Sequence, residues 1–567
     1  MKFSSLALRR KHIVTIVSFL VGLYGLYIIG STLLDLFIAH RLRINSSALT
    51  DVHLLFGLGF VYLSLLLARR KRNAFVLGLL AFTFLFGEGT SEVLTHLHSG
   101  KVIGQIIFRY AFLPLAILIL LLLTRNEFKV KSDTQAFKSS LSLAIIVLII
   151  TLAYGIGGFL LMDNSDFRQE ISVGGAIQHT IDQFDLTTNQ PLHPYTKRAR
   201  IFMDSLSFVS IASVTFLVVS LVQPVRARLA DQSEQRQRLL DLMKQYGAPS
   251  EDFFKLWPHD KHYFFDSKNE AGLAYHVKRG VALVLADPVG NADSFRNLLK
   301  EFSELCWVND WQPALIHVDA KYRKLYERAG YELQLIGQEA FVNIEQFVSS
   351  TSTNKYFRNI RNRFTKENYS FEILQPPHHQ AVLDRVKAIS DDWLSKPGRT
   401  ERGFVMGYYN EEYLQQCELA TVRDAAQTIQ AFLNIIPSSD FNKDEVTYDM
   451  LRASALAPPN CNDFLLMGLI QALHEQGKKT LSLGLAPLVG LDEPKDENNL
   501  ISRVLSFAYT NGDRIYSFSG LKRFKAKYEP QWEDRFLGYK GGVRGFSRML
   551  NALLFAMRLP KGVRLKR

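Results

Sequence analysis

Glu445-Val-Thr-Tyr-Asp449-Met-Leu-Arg452 is the stretch that decides how the C-terminal half of this chain is read. Its bulky apolar residues mark a strand, and period-two alternation sets Glu445, Thr447 and Asp449 on one face, with Val446, Tyr448 and Met450 on the other. Two carboxylates then share one side. Arg452 follows, where a planar guanidinium can clamp an anionic or carbonyl group bidentately. Taken alone, the octapeptide also reads as a solvated strand with a surface ion pair, because short motifs recur without function.

Around this strand the chain alternates β-rich runs with amphipathic helices, an α+β pattern that begins near Phe253. Strands are predicted over 262–265, 272–277, 281–286 and 313–318, and helices over 294–309 and 320–329, the second ended by Gly330. A Ser/Thr-rich junction at 349–354 opens a second module on the same plan. It holds a basic helix over 355–366, a helix over 383–394, a Gly-rich turn at 396–403, and strands over 419–422, 429–437 and 446–451. A helix over 463–476, a strand over 480–485 and a helix over 501–510 complete it. Within the basic helix, Arg358, Arg361 and Lys366 sit among apolar and aromatic residues at helical spacing, so an apolar stripe can dock while cations face phosphates or plain solvent.

The N-terminal part is of a different kind. Six apolar runs of about the length a bilayer requires fall at 13–39, 52–68, 73–88, 102–124, 139–162 and 202–222. Basic residues before the first run and after the second and fourth place both ends on the cytoplasmic side. Lys197, Arg198 and Arg200 fall on the outer side and read as an interfacial anchor. The first run is too long for a cleaved signal peptide. Asp35, Glu88, Arg109 and Asp204 lie in or near apolar runs, and Glu88 with Arg109 reads either as an inter-helix ion pair or as part of a headgroup path.

Composition bounds the partners. With 567 residues, a formal charge of +13 and a pI near 9.4, the chain suits a polyanion, either nucleic acid or anionic lipid. Cys306, Cys417 and Cys461 are too far apart for a CxxC pattern, and the histidines lack companions at ligand spacing, so no metal site is expected. The tail 541–567 mixes apolar and basic residues, as an interfacial helix or as one packed on the core.

A series of short motifs then occurs in order: Asp287-Pro-Val-Gly290, Gly337-Gln-Glu-Ala340, the basic helix, Lys396-Pro-Gly-Arg399 with Gly403-Phe404, and the octapeptide itself. It continues with Asp463-Phe-Leu, Leu483-Gly-Leu-Ala-Pro-Leu-Val-Gly-Leu491, the stretch from Tyr516 to Pro530, and Trp532-Glu533. Over about residues 250 to 540 this series resembles the synthase half of the bacterial multiple peptide resistance factor family, the phosphatidylglycerol lysyltransferases and alanyltransferases. Asn462 stands where the family usually has methionine. Family members often carry more spans, some forming a flippase, so the resemblance supports synthesis rather than lipid flipping.

The apolar runs are read as an α-helical transmembrane bundle (1–225) and the polar run after them as a helical linker (226–252), and the resemblance implies tandem GCN5-related acyltransferase-like folds (253–349 and 350–540) in the cytoplasm, the second catalytic. Leu325-Tyr-Glu-Arg-Ala-Gly-Tyr331 fits such a fold, whereas its acetyl-CoA loop is missing from the sequence. It implies a membrane-bound aminoacyltransferase that moves lysine or alanine from aminoacyl-tRNA to the glycerol hydroxyl of phosphatidylglycerol at the inner leaflet of the bacterial membrane, with aminoacyl-tRNA as a substrate and no cofactor. Such a reaction lowers negative surface charge and so protects against cationic peptides. Glu445 or Asp449 would accept the hydroxyl proton or hold the donor's ammonium, and Arg452 would orient a phosphate or the ester. Arg399, Asp463, Lys522, Arg523, Lys525 and Lys527 are the expected substrate-binding residues, and Arg358, Arg361 and Arg363 the tRNA-binding ones. Another lipid or a lipid-linked peptide as acceptor, and a lipid transporter with a non-catalytic C-terminal half, are the competing readings. Homo-oligomerisation is left open.

Overall fold

A computed structural model describes residues 2–41, 49–98, 112–128, 130, 146, 149–182, 192–220, 232–396, 399–487 and 518–558. The chain forms two compact units, residues 1–226 with 307–310, and the remainder from 227 onward.

The first unit is helical. Helices Lys2–Arg41, Leu49–Ala68, Arg72–His98, Leu113–Leu123, Ile149–Leu160 and Lys197–Ser220 overlap each of the six apolar runs. Among the described residues one stretch, Ile13–Leu34, is long and apolar enough to cross a bilayer by itself, and four others are shorter apolar helices. A six-span bundle therefore remains an expectation of the sequence. The first two helices cross closely: a Cβ on Gly25 would stand 2.6 Å from the Gly57 carbonyl oxygen. Small residues at a crossing are how apolar helices bring their backbones together. Arg109 and the side chains of Asp35 and Glu88 lie outside the described residues, and Asp204 is exposed on its helix.

The second unit is built on two sheets. Strands β1 (His262–Phe265), β2 (Ala271–Lys278), β3 (Val281–Leu285), β4 (Val289–Gly290), β5 (Gln312–Asp319) and β6 (Glu332–Asn343) come from the first module. The second supplies β7 (Ser370–Leu374), β8 (Glu418–Arg423), β9 (Ile429–Ile435), β10 (Glu445–Thr447), β11 (Arg452–Ala453), β12 (Thr480–Pro487) and β13 (Gln531–Tyr539). The larger sheet runs β1-β2-β3-β5-β13-β6-β12-β10, with β4 on β2, and the smaller runs β11-β9-β8-β7.

Two expectations are corrected here. The modules do not part at residue 349, because β13 lies antiparallel between β5 and β6, and β10 and β12 extend the same sheet. The stretch 226–252 is not merely a linker: helix Ser233–Tyr246 buries Leu239, Leu242 and Met243 in the core beside Phe253, Trp257 and Leu283. The helix expected over 501–510 lies outside the described residues.

The octapeptide does not form one strand. β10 pairs in parallel with β12 in the large sheet, and β11 pairs antiparallel with β9 in the small one. Buried Asn434 on β9 fixes the break, its carbonyl accepting from the Asp449 amide at 3.1 Å and its Oδ1 from the Met450 amide at 2.9 Å. The chain thus passes from one sheet to the other at Asp449.

The seating of β13 rests on contacts with no slack. Gly538 pairs with Leu315 of β5, and a Cβ there would fall 2.8 Å from the Leu315 Cδ1. Gly538→Val should cost about 1–3 kcal/mol through overpacking. A lowered thermal midpoint of the purified chain checks this, and an unchanged one would contradict the placement of β13.

Candidate functional site

Beyond the break, the end of β11 and the segment after it help to wall a cavity of about 340 Å³. Its walls are Trp393, Lys396 and Arg399, the segment Ala453 to Ala457 that follows β11, Asn460 to Asp463 at the start of helix Cys461–Glu475, and Phe524. Asp463 stands in the first helical turn, where a carboxylate complements the exposed amides and the helix dipole. It is buried and accepts from Tyr356 Oη at 2.9 Å, Tyr528 Oη at 2.9 Å and Lys527 Nζ at 2.8 Å. The Lys527 ammonium also lies 5.0 Å from the Tyr356 ring centre and 4.8 Å from that of Phe524. A carboxylate, two phenols and a cation therefore meet at Asp463, which lines the cavity together with Lys396 and Arg399.

Arg399 is exposed, and its guanidinium stacks 4.7 Å over Trp393. Arg452 stacks on the same ring at 4.7 Å, but it is buried. Its Nη1 donates to Glu401 Oε1 at 3.0 Å and to Ser390 Oγ, and Glu401 Oε1 also accepts from the Tyr409 amide at 2.9 Å. The expected substrate clamp is therefore committed to an internal ion pair, with both side chains nearly sealed from water.

Glu445 and Asp449 do not share a face. Glu445 Oε1 accepts from the Ser250 amide at 2.8 Å and from its hydroxyl at 2.6 Å, and burial pushes its carboxyl up. Asp449 Oδ2 accepts from Tyr413 Oη at 3.3 Å and from the Gly407 amide. Burial raises it to about 6, against the opposing pull of Arg452. Gly407 has no room for a side chain, since a Cβ would lie 2.0 Å from Asp449 Oδ2. Neither carboxylate lines the cavity; of the acids, Asp463 does.

The four cations expected to act together are spread apart. Lys522 is half-buried and Arg523 exposed on helix Phe518–Ala526, and Lys527 serves Asp463. Lys525 turns inward, donating to the Gly484 and Leu485 carbonyls at 2.7 and 2.9 Å, and burial pushes it down to about 8. On helix Lys355–Lys366, Phe357, Ile360 and Phe364 are buried while Arg358 and Arg361 are exposed. Asn354 caps this helix by accepting from the Phe357 amide at 3.1 Å. Arg363 bends back to donate to the Pro459 carbonyl in the loop beside the cavity.

One cluster had no sequence signal, because its members come from distant elements. Glu251, His317 and Glu339 present ligand atoms within 4.8 Å of one another. Glu339 accepts from Arg535 Nε at 2.7 Å and Ser482 Oγ at 2.7 Å. Burial, and after it the Glu339 carboxylate, push the Glu251 carboxyl well above the ordinary carboxylate range. Arg535 and Lys525 face these acids, so the set forms an internal ionic knot.

The geometry defines an α+β region of two modules sharing one sheet, with a polar cavity at a helix N-terminus. Residues 240–539 match the family described as phosphatidylglycerol lysyltransferase, C-terminal. The phosphatidylglycerol lysyltransferase of Bacillus subtilis (strain 168) is 28% identical over 351 residues, which are 60% of this chain and 40% of that one. That of Staphylococcus aureus (strain N315) is 27% identical over 334 residues, 58% of this chain and 39% of that one. Among solved structures, the C-terminal domain of a putative lysylphosphatidylglycerol synthetase from Agrobacterium fabrum is 26% identical, at a TM-score of 0.50, covering 59% of this chain and 99% of that one. L-PGS from Bacillus licheniformis is 30% identical, at a TM-score of 0.49, covering 56% and 95%. This chain belongs to the phosphatidylglycerol lysyltransferase C-terminal family. The match covers less than half the length of the full-length relatives.

Two outcomes follow from the buried groups. The folded carboxyl of Asp449 lies near 6, above the ordinary value of 3.8, so its ionised form costs stability above about pH 6. That cost fades as pH falls through 6 and is gone below 3.8. Asp449→Asn should therefore melt higher than the parent chain at pH 8, with the gap closing near pH 4; a constant gap would show that the carboxylate is not strained. Arg452→Met leaves Glu401 buried without its partner and should cost about 3–5 kcal/mol. Adding Glu401→Leu should recover most of that loss in denaturant titrations, and no recovery would mean the two do not act as a pair.

Proposed function

We propose that this chain transfers an aminoacyl group, lysyl or alanyl, from aminoacyl-tRNA to the glycerol hydroxyl of phosphatidylglycerol, and that its two modules are tandem GCN5-related folds. The observation that carries the reading is the cavity itself, lined by Asp463, which holds Tyr356 and Lys527, and by Lys396 and Arg399. Family membership and relatives named phosphatidylglycerol lysyltransferase support the acceptor.

The donor ester is already activated, so the reaction needs alignment and the movement of one proton. The lipid hydroxyl oxygen bonds to the aminoacyl carbonyl carbon, the bond to the tRNA ribose oxygen breaks, and the hydroxyl proton ends on that ribose oxygen. Alignment of this kind is worth about 7–11 kcal/mol of barrier. Asp463 is the carboxylate that touches substrate, taking the hydroxyl proton or holding the donor's ammonium. Lys396 and Arg399 meet phosphate oxygens, and Asp449 and Arg452 act at one remove by holding the loop and β11 that shape the wall. Exposed Arg358 and Arg361 meet the RNA backbone, a contact that positions without reading sequence. The N-terminal helices hold the chain in the cell membrane.

Labelled lysine or alanine, its synthetase, tRNA and phosphatidylglycerol vesicles test this directly. The full chain should yield a chloroform-soluble labelled product that vanishes after RNase treatment. Asp463→Asn should lower turnover by about 10²-fold or more if the carboxylate moves the proton. Product formed equally well without RNA would end the proposal.

A further inference from the structure

Helix Gly542–Ala556 has two apolar faces. Gly545, Phe546, Met549, Ala552 and Ala556 are buried against the core. On the opposite side Val543 is 54% exposed, Leu550 37% and Leu554 57%. With Ser547, these three fall within an arc of about 60° at 3.6 residues per turn. Arg544, Arg548 and Arg558 flank that strip on one side. The β2–β3 turn adds Lys278 and Arg279 to the same flank. Arg279 donates to Asn551 Oδ1 at 3.2 Å, and its guanidinium lies 3.4 Å from the Phe555 ring centre. From Lys540 to Arg567 the chain has eight basic residues and no acidic one.

We infer that this outer face lies on an anionic lipid surface. Leucines and a valine flanked by arginines suit the boundary between headgroups and acyl chains, where apolar burial and charge attraction add. Each cation near an anionic surface is worth about 1 kcal/mol, or about fivefold in partitioning. Single exposed apolar side chains are ordinary; here three share one strip of a helix beside a basic flank.

The helix is also tied to the cavity. The Gly403 amide donates to the Met557 carbonyl at 3.0 Å. Gly403 belongs to the loop that carries Arg399 in the cavity wall and Glu401 on Arg452. Phe404 of this loop is buried in the same core as Phe546 and Met549. A helix resting on lipid therefore brings the wall holding Arg399 to the headgroup layer. The inference deepens the transfer reading by naming how the lipid is met, and its test reads no turnover, so the failure of either is distinguishable.

All three native cysteines are buried, so a thiol introduced as Ser547→Cys can be labelled selectively with an environment-sensitive dye. The full chain is reconstituted in bilayers containing spin-labelled lipid, either of phosphatidylcholine alone or with phosphatidylglycerol added. The dye at 547 should be quenched about twofold or more in the anionic bilayer and much less in the neutral one, while a dye at exposed position 426 stays unquenched. Arg544→Gln, Arg548→Gln and Arg558→Gln together, or Leu550→Ser with Leu554→Ser, should reduce the quenching. Emission at 547 matching that at 426, or equal quenching in both bilayers, overturns the inference. So does protection of the dye by added tRNA in place of lipid.

Discussion

Strand β13 sits between β5 and β6, and this insertion is the constraint on which the C-terminal unit depends. β5 and β6 run parallel to each other, joined by helix Arg323–Arg328, and would be neighbours in a simple crossover. The last strand of the second module separates them. Neither module can then complete its sheet alone, so the fold is closed only when distant ends of the chain meet. Such non-local pairing is slow to form and, once made, removes two sheet edges that would otherwise bind other chains.

The insertion explains where the buried charge lies. Arg535 arrives on β13 and meets Glu339 on β6, and Glu339 also holds Ser482 of β12. Lys525, just ahead of β13, grips the carbonyls of Gly484 and Leu485, where the register of β12 shifts against β6. One ionic knot therefore fastens three strands and the helix that brings Phe524 and Lys527 to the cavity. Replacing such a knot with well-packed apolar groups is often neutral for stability, so its value here is registration. It sets where Phe524 and Lys527 stand relative to Asp463.

The sequence was legible where the signal was local. Strand and helix positions from His262 to Arg328, the short β4 apart, follow from bulky apolar runs and glycine punctuation, and the apolar stripe of helix Lys355–Lys366 was readable from its spacing. Asp463 was legible through motif order. The octapeptide misled because period two assumes an unbroken strand, and a buried asparagine eleven residues before it on another strand, Asn434, bends the chain at Asp449. Arg452 looked like a clamp because its partner Glu401 lies in a loop no periodicity describes. The knot around Glu339 needed a sheet order that no local pattern encodes.

Net charge gives a further lesson about what composition measures. A formal +13 invites a picture of one basic surface. Yet Lys255, Lys261, Arg452, Lys525 and Arg535 are buried, each held by carboxylates or carbonyls. These cations act within the fold and are invisible to a distant polyanion. What a polyanion meets is the exposed remainder, which includes Arg358 and Arg361 on one helix and Arg544, Arg548 and Arg558 on and just after another. Long-range attraction falls off within a Debye length of about 8 Å in physiological salt, so exposed cations act locally rather than as a sum. Under the proposed transfer, two separate basic faces would let an RNA and a lipid bind together, where a single one would make the two polyanions compete.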